Sequence, residues 1–289
     1  MATQLVAGVG IGATLLLIAL GLTFTFGQMG VINMAHGEFI MAGAYTTYLL
    51  QGVAGSNAVP VALPVAFLVA GLMGLLLERL LIRHFYNRAL DTLLLTWGVG
   101  LILQQVARDI FGTPNVQVTA PTWLTGGLTL GGVRLDYNRL FILVLALGSV
   151  AAIWLYLTRL AHGRRMRAVM ANRQLAAVSG VNTARVDMLT FFIGSGLAGV
   201  AGVAVTLLGS VGPSIGTYYI VDAFLVVVAG GLGQLRGAVI AAFALGVLSS
   251  FTEEWTNASL AKVVVFAVII AFLQFRPQGL FVLRSRALV

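Results

Sequence analysis

The chain has 289 residues, 59% of them apolar and only 9% charged, whereas a soluble domain carries about 25% charged residues, so a soluble globular enzyme is excluded. The apolar content suffices for roughly eight or nine membrane spans of about 20 residues each, with no room for a second soluble domain. The net charge of +8 does not signal nucleic acid, because the basic residues punctuate apolar runs, and the absence of Cys excludes disulfides, thiolate metal sites and a cysteine nucleophile.

In chain order, the uncharged run 5–26 is longer than the apolar core of a signal peptide and no Lys or Arg precedes it, which predicts a retained first span. A polar, glycine-rich stretch, 27–38, leads to a short apolar piece at 39–51, then to spans at 58–77 and 92–107. Residues 112–137 carry Pro114, Pro121, Trp123 and glycines at 126, 127, 131 and 132, a turn-rich surface platform. A span at 140–158 follows. Residues 161–187 are basic at first and then amphipathic, with Ala168, Val169, Met170, Leu175, Ala176 and Val178 reading as a helix that ends at Gly180. Such a helix suits docking at the membrane surface, and it equally suits adhesion to anionic lipid.

The run 188–221 is too long for one helix. Gly212-Pro213-Ser214 predicts that a span ends near Ser210 and that a new segment starts at 215–219. Beyond Asp222 lie shorter pieces at 223–235, 237–252 and 263–275. Short, glycine-interrupted segments are expected where broken or re-entrant helices line a cavity. The expected architecture is an all-α polytopic transmembrane bundle in one domain, 1–289, with about eight or nine spans, some short or broken.

On an alternating nine-segment arrangement, one side receives thirteen arginines: 79, 83, 88, 159, 164, 165, 167, 173, 185, 236, 276, 284 and 286. The other holds four basic residues, Arg108, Arg134, Arg139 and Lys262. Cytoplasmic loops collect Lys and Arg, so the arginine-rich side and the C-terminus face the cytoplasm, and nine segments put the N-terminus and 112–137 outside.

Several chemistries are excluded. Gly194-Ser195-Gly196-Leu197-Ala198-Gly199 matches a dinucleotide fingerprint only formally, since it lies inside an apolar span; Ser195, Ala198, Gly199 and Gly202 are small residues at helix-packing spacing. The single lysine, Lys262, follows Ala261, so no Gly-Lys-Ser/Thr phosphate loop exists. His36 and Glu38 stand two apart on different helical faces, and no metalloprotease pair of histidines occurs. His84 and His162 read as plain surface or lipid-facing residues.

Polar residues at membrane depth carry what function remains. Asn33 and His36 are three apart, and glycines 27, 30 and 37 permit unwound backbone. The same stretch also fits a cytoplasmic turn with Asn33 and Glu38 as caps. Thr92, Thr96, Gln104 and Gln105 lie on one span, where the threonines suit bonding to their own helix. Asp222 follows Tyr218 and Tyr219, where it suits the cap of a half-helix and the tyrosines suit an interfacial belt.

Phe26-Gly27-Gln28-Met29-Gly30-Val31-Ile32-Asn33-Met34-Ala35-His36-Gly37-Glu38 resembles the signature of the branched-chain amino acid permease family of ATP-binding cassette importers. So do Gly180-Val181-Asn182-Thr183, Gly230-Gly231-Leu232-Gly233 and Arg276-Pro277-Gln278-Gly279-Leu280-Phe281, in the family's order. Within it, Asp91-Thr92-Leu93-Leu94-Leu95-Thr96-Trp97-Gly98, Asn115-Val116-Gln117-Val118, Tyr137-Asn138-Arg139-Leu140-Phe141 and Tyr218-Tyr219-Ile220-Val221-Asp222 look like the urea-transport branch.

The resemblance implies a permease subunit, not an enzyme, in the bacterial inner membrane. It would pair with a second, non-identical permease, couple to cytoplasmic ATP-binding subunits that hydrolyse ATP, and be served by a periplasmic binding protein, with no cofactor or metal of its own. It makes Gln174, Leu175, Ala176, Ala177 and Gly180 the ATPase-coupling segment, although the importer pattern Glu-Ala-Ala appears here as Leu175-Ala176-Ala177. Urea needs hydrogen-bond partners to leave water, and Asn33, His36, Glu38, Thr96, Trp97 and Asp222 are the expected path residues. The alternatives are the same machine carrying Leu, Ile or Val, which favour a wider apolar path, and a passive urea channel.

Overall fold

A computed structural model describes residues 1–86 and 88–281. It is an all-α bundle: α1 (Ala2–Met29), α2 (His36–Ala54), α3 (Ala58–Leu80), α4 (Ala89–Phe111), α5 (Tyr137–Arg159), α6 (Ala161–Ala171), α7 (Arg173–Val178), α8 (Thr183–Val205), α9 (Ile215–Gly230), α10 (Leu235–Trp255) and α11 (Ala258–Phe275). Seven apolar helical stretches are long enough to cross a membrane, one of which, residues 36–84, contains both α2 and α3, while α9 is a shorter apolar helix. The expected eight or nine segments are therefore present, with α9 as the short one.

The bundle is organised around α8. Of its most apolar 18-residue window 78% is buried, against 17% for those of α5 and α11, so α8 is the helix the others surround. Small residues allow this. A Cβ at Gly43 of α2 would collide with the Gly199 backbone, one at Gly202 with the Ile40 carbonyl, and one at Gly194 with the Thr25 side chain. Without a strong hydrophobic force between helices inside lipid, close backbone approach through small residues supplies the packing attraction.

Two ends of the bundle can be told apart. At one, an antiparallel hairpin of β1 (Gly127–Leu130) and β2 (Val133–Asp136) follows a short 3-10 turn, Thr122–Leu124. This hairpin, which the expectation of a turn-rich platform did not include, is closed by Gly131 and Gly132, both at positive φ. The same loop reaches the bundle through the Val116–Val211 bridge and a 2.9 Å bond from Gln51 to Thr119. The N-terminus lies at this end, where Ser250 donates to the Gln4 carbonyl at 2.9 Å. The other end holds α6, α7 and the connector between α3 and α4, with Arg79, Arg83, Arg164, Arg165, Arg167, Arg173 and Arg185. Arg284 and Arg286 of the expected cytoplasmic set lie outside the described residues.

Three sequence boundaries shift. The helix before Gly212-Pro213 ends at Val205, five residues earlier than Ser210, and Asp222 does not separate two pieces, since α9 runs through it. The inner amphipathic helix is two helices broken at Asn172, whose side chain accepts from Leu175 N at 2.9 Å and caps α7.

Candidate translocation path and coupling site

Residues 30–35 leave the helical path. Gly30 at φ 64° ends α1, and the chain turns back into the bundle before α2 starts at His36. The turn is held by Thr96 of α4, whose hydroxyl accepts from Met34 N at 2.9 Å and bonds the Thr92 carbonyl at 2.8 Å. Thr96 lies two turns into α4, about 10 Å along the helix axis, so the turn is below the surface. Asn33 and His36 are 0% exposed and Glu38 4%. This burial overturns the surface-turn reading, and the first turn of α2 has no side-chain cap from Asn33 or Glu38.

The buried group is only partly satisfied. His36 Nε2 donates to the Ile18 carbonyl at 3.1 Å, leaving Nδ1 unpartnered. Glu38 Oε1 accepts from Gln104 Nε2 at 3.0 Å, and the same amide nitrogen bonds Thr217 Oγ1 of α9. Glu38 Oε2 and both polar atoms of Asn33 have no protein partner. Buried polar atoms are normally paired, so these free positions can accept or donate to a polar solute. Gly37 and Gly216 bring α2 and α9 into backbone contact beside the carboxylate, and a side chain at Gly216 would strike Glu38 Oε2.

Asn33, His36, Glu38 and Thr96 thus come together, joined by Gln104 and Thr217. Two expected path residues do not join them. Trp97, 54% exposed, projects outward from α4. Asp222 lies in the second turn of α9 instead of capping it, and its carboxylate pairs with Lys262 Nζ of α11 at 3.1 Å. Lys262 also sits 3.4 Å from the centre of the Tyr218 ring. These groups line a separate cavity of about 290 Å³ with Arg139 and Glu253. Gln104 was legible as the third member of a stripe at four-residue spacing, Thr96, Gly100 and Gln104, in which a side chain at Gly100 would lie 3.5 Å from Glu38.

At the arginine-rich end, α7 exposes Leu175 at 62% and Val178 at 83%, while Ala176 is buried. Gly180 at φ 84° turns the chain toward α8. Arg173, the first residue of α7, makes a bidentate ion pair with Asp187 of α8, with one bond at 3.1 Å. Its guanidinium also lies 5.1 Å from the Tyr86 ring, and Tyr86 OH donates to Glu78 of α3 at 2.5 Å. Burial and the Glu78 bond hold the Tyr86 hydroxyl well above its ordinary range, and the Asp187 bond raises the Arg173 guanidinium further. No part of this network was anticipated. His162 is not a plain surface residue: its ring lies 5.9 Å from Tyr156, and burial, with Arg165 and Arg185 nearby, pushes its pKa down.

A multi-pass membrane bundle with a buried polar turn and an exposed helix at the arginine-rich end is the architecture of a solute permease. The branched-chain amino acid transport system permease component matches residues 4–273, and the chain belongs to that family. It is similar to the high-affinity branched-chain amino acid permease BraD of Pseudomonas aeruginosa, 31% identical over 96% of this chain and 94% of that protein. It is 30% identical to LivH of Salmonella typhimurium over the same shares. A shorter likeness, 33% identity over 44% of this chain and 35% of the relative, is to the xylose permease XylH of Escherichia coli. No solved structure matches it.

Proposed function

We propose that this chain is one of two permease subunits of an ATP-binding cassette importer in the bacterial inner membrane. It would be energised by cytoplasmic ATP-binding subunits and loaded by a periplasmic binding protein. The observation that carries this reading is the end-to-end likeness to BraD and LivH, whose names assign them to branched-chain amino acid transport. Branched-chain amino acids are accordingly the first cargo to test. Urea is the second, favoured by the unpaired Asn33 amide and Glu38 oxygen, which offer the acceptors and donors a small, strongly hydrated amide needs on leaving water. In this reading Asn33, His36, Glu38 and Thr96, with Gln104, face the cargo, and Trp97 and Asp222 act elsewhere on the subunit.

Leu175 and Val178, exposed three residues apart on α7, would seat on the ATPase, with Gln174, Ala176, Ala177 and Gly180 holding the segment's shape. Paired uptake of radiolabelled leucine and urea by the assembled importer separates the cargoes. Asn33→Ala and Glu38→Ala should each lower uptake at least tenfold at equal membrane levels. Wild-type rates would remove those positions from the path.

A further inference from the structure

We infer that Arg173 and Asp187 form the mechanical link by which a displacement of α7 is passed to α8 and onward to the Glu38 turn. This rests on α7 being the surface that meets the ATPase. α7 is a single six-residue helix whose own hold on the bundle is slight. Ala176 is its one fully covered side chain, and Leu175 and Val178 point away.

Arg173 supplies the hold that apolar packing does not. Its fork grips both oxygens of Asp187, which is 2% exposed on the second turn of α8. A bidentate guanidinium–carboxylate pair fixes direction as well as distance, so α7 cannot tilt without dragging Asp187. Tyr86 lies against the guanidinium and bonds Glu78 on the last turn of α3. The link therefore closes on α8, the central helix, and on α3, which packs against it.

From Asp187 the route continues through stiff contacts. α8 meets α2 where Gly199 and Gly202 touch Gly43 and Ile40, and it meets α3 through Ser195 and Gly74. Backbones in direct contact leave no compressible side chains to absorb a shift. α2 begins with His36 and Glu38, so movement of α8 alters the spacing between Glu38 and its partner Gln104 on α4. Spatial continuity alone does not establish coupling; an effect measured at both ends does.

The test uses the complete importer in vesicles and measures cargo moved per ATP hydrolysed, a ratio that does not depend on how much protein folds. Arg173→Ala is expected to lower that ratio at least tenfold, Arg173→Lys several-fold, and Tyr86→Phe about twofold. The charge exchange Arg173→Asp with Asp187→Arg should recover part of the loss. Cross-linking from a cysteine at position 175 to the ATPase, run on the same samples, reports separately whether α7 is the docking surface. A lowered ratio with the cross-link formed supports the link; a missing cross-link sinks the docking assignment on which the link rests. An unchanged ratio in Arg173→Ala overturns the link. If Arg173→Ala fails to assemble, an unchanged ratio in Arg173→Lys overturns it as well.

Discussion

An opposite charge in contact offsets the cost of carrying a charge into an apolar bundle. Asp222 and Lys262 sit 3.1 Å apart with side-chain exposures of 15% and 36%, in segments otherwise free of charge. Removing one partner leaves the other without compensation, which costs about 3–5 kcal/mol for a fully buried pair and less here because Lys262 is partly open. Lys262→Met should therefore lower the melting temperature in detergent clearly, whereas Lys262→Met combined with Asp222→Asn should restore most of it. The Glu38 carboxylate presents a second case. Gln104→Leu removes the amide that donates to Glu38 Oε1 and is expected to destabilise by about 1.5–3 kcal/mol, in the range of hydrogen bonds to charged groups, measured by the same melt; Glu38→Gln, which keeps the acceptor and drops the charge, should cost less. The sequence made Asn33, His36 and Glu38 visible because polar residues interrupt an apolar run there. It did not reveal that Asp222 answers to Lys262, since those residues are forty positions apart and meet only through the packing of α9 against α11.

At the scale of elements, helix ends decide as much as apolar faces do. α7 is far below the length at which an isolated helix is stable in water, so the Asn172 cap and the Arg173 pair keep it formed. Loss of a cap costs about 1 kcal/mol, and Asn172→Ala should raise backbone hydrogen exchange across residues 173–180 about fivefold, with little change in α8. Equal exchange in both proteins would show that the cap contributes nothing. The α6–α7 break was hidden in the sequence because the apolar positions keep a helical period across it, and a single Asn in such a run reads as an ordinary polar position. Spans were legible wherever 20 apolar residues stood unbroken. The early end of α8 was not, because residues 206–211 stay uncharged although their backbone turns to meet Val116. The hairpin of β1 and β2 was likewise unreadable beyond its glycines, since Leu128, Leu130, Val133 and Leu135 alternate over strands of only four residues.

For the whole molecule the decisive property is that its interior is closed by backbone contact. α2, α3 and α8 meet through glycine and alanine, and α1 lies on α10 along Gly8, Gly12 and Gly246. The polar turn around Glu38 is walled in by α1, α4 and α9 through Ile18, Gln104 and Gly216. Opening it requires work on the helices, and the chain has no phosphate-binding loop with which to draw that work from ATP, its single lysine being engaged with Asp222. In the proposed function the energy enters from a neighbouring ATP-binding subunit at the arginine-rich end, where Leu175 and Val178 of α7 stand exposed. Reconstituted alone in sealed vesicles, the chain should therefore leave urea and leucine gradients intact for as long as protein-free vesicles do. Adding the second permease, the ATP-binding subunits and a loaded binding protein should produce uptake that stops when ATP is withheld. A stopped-flow trace in which the isolated chain shrinks and swells vesicles with urea faster than bare lipid would mean that the closed packing opens spontaneously. That outcome would move the protein from driven import to passive conduction.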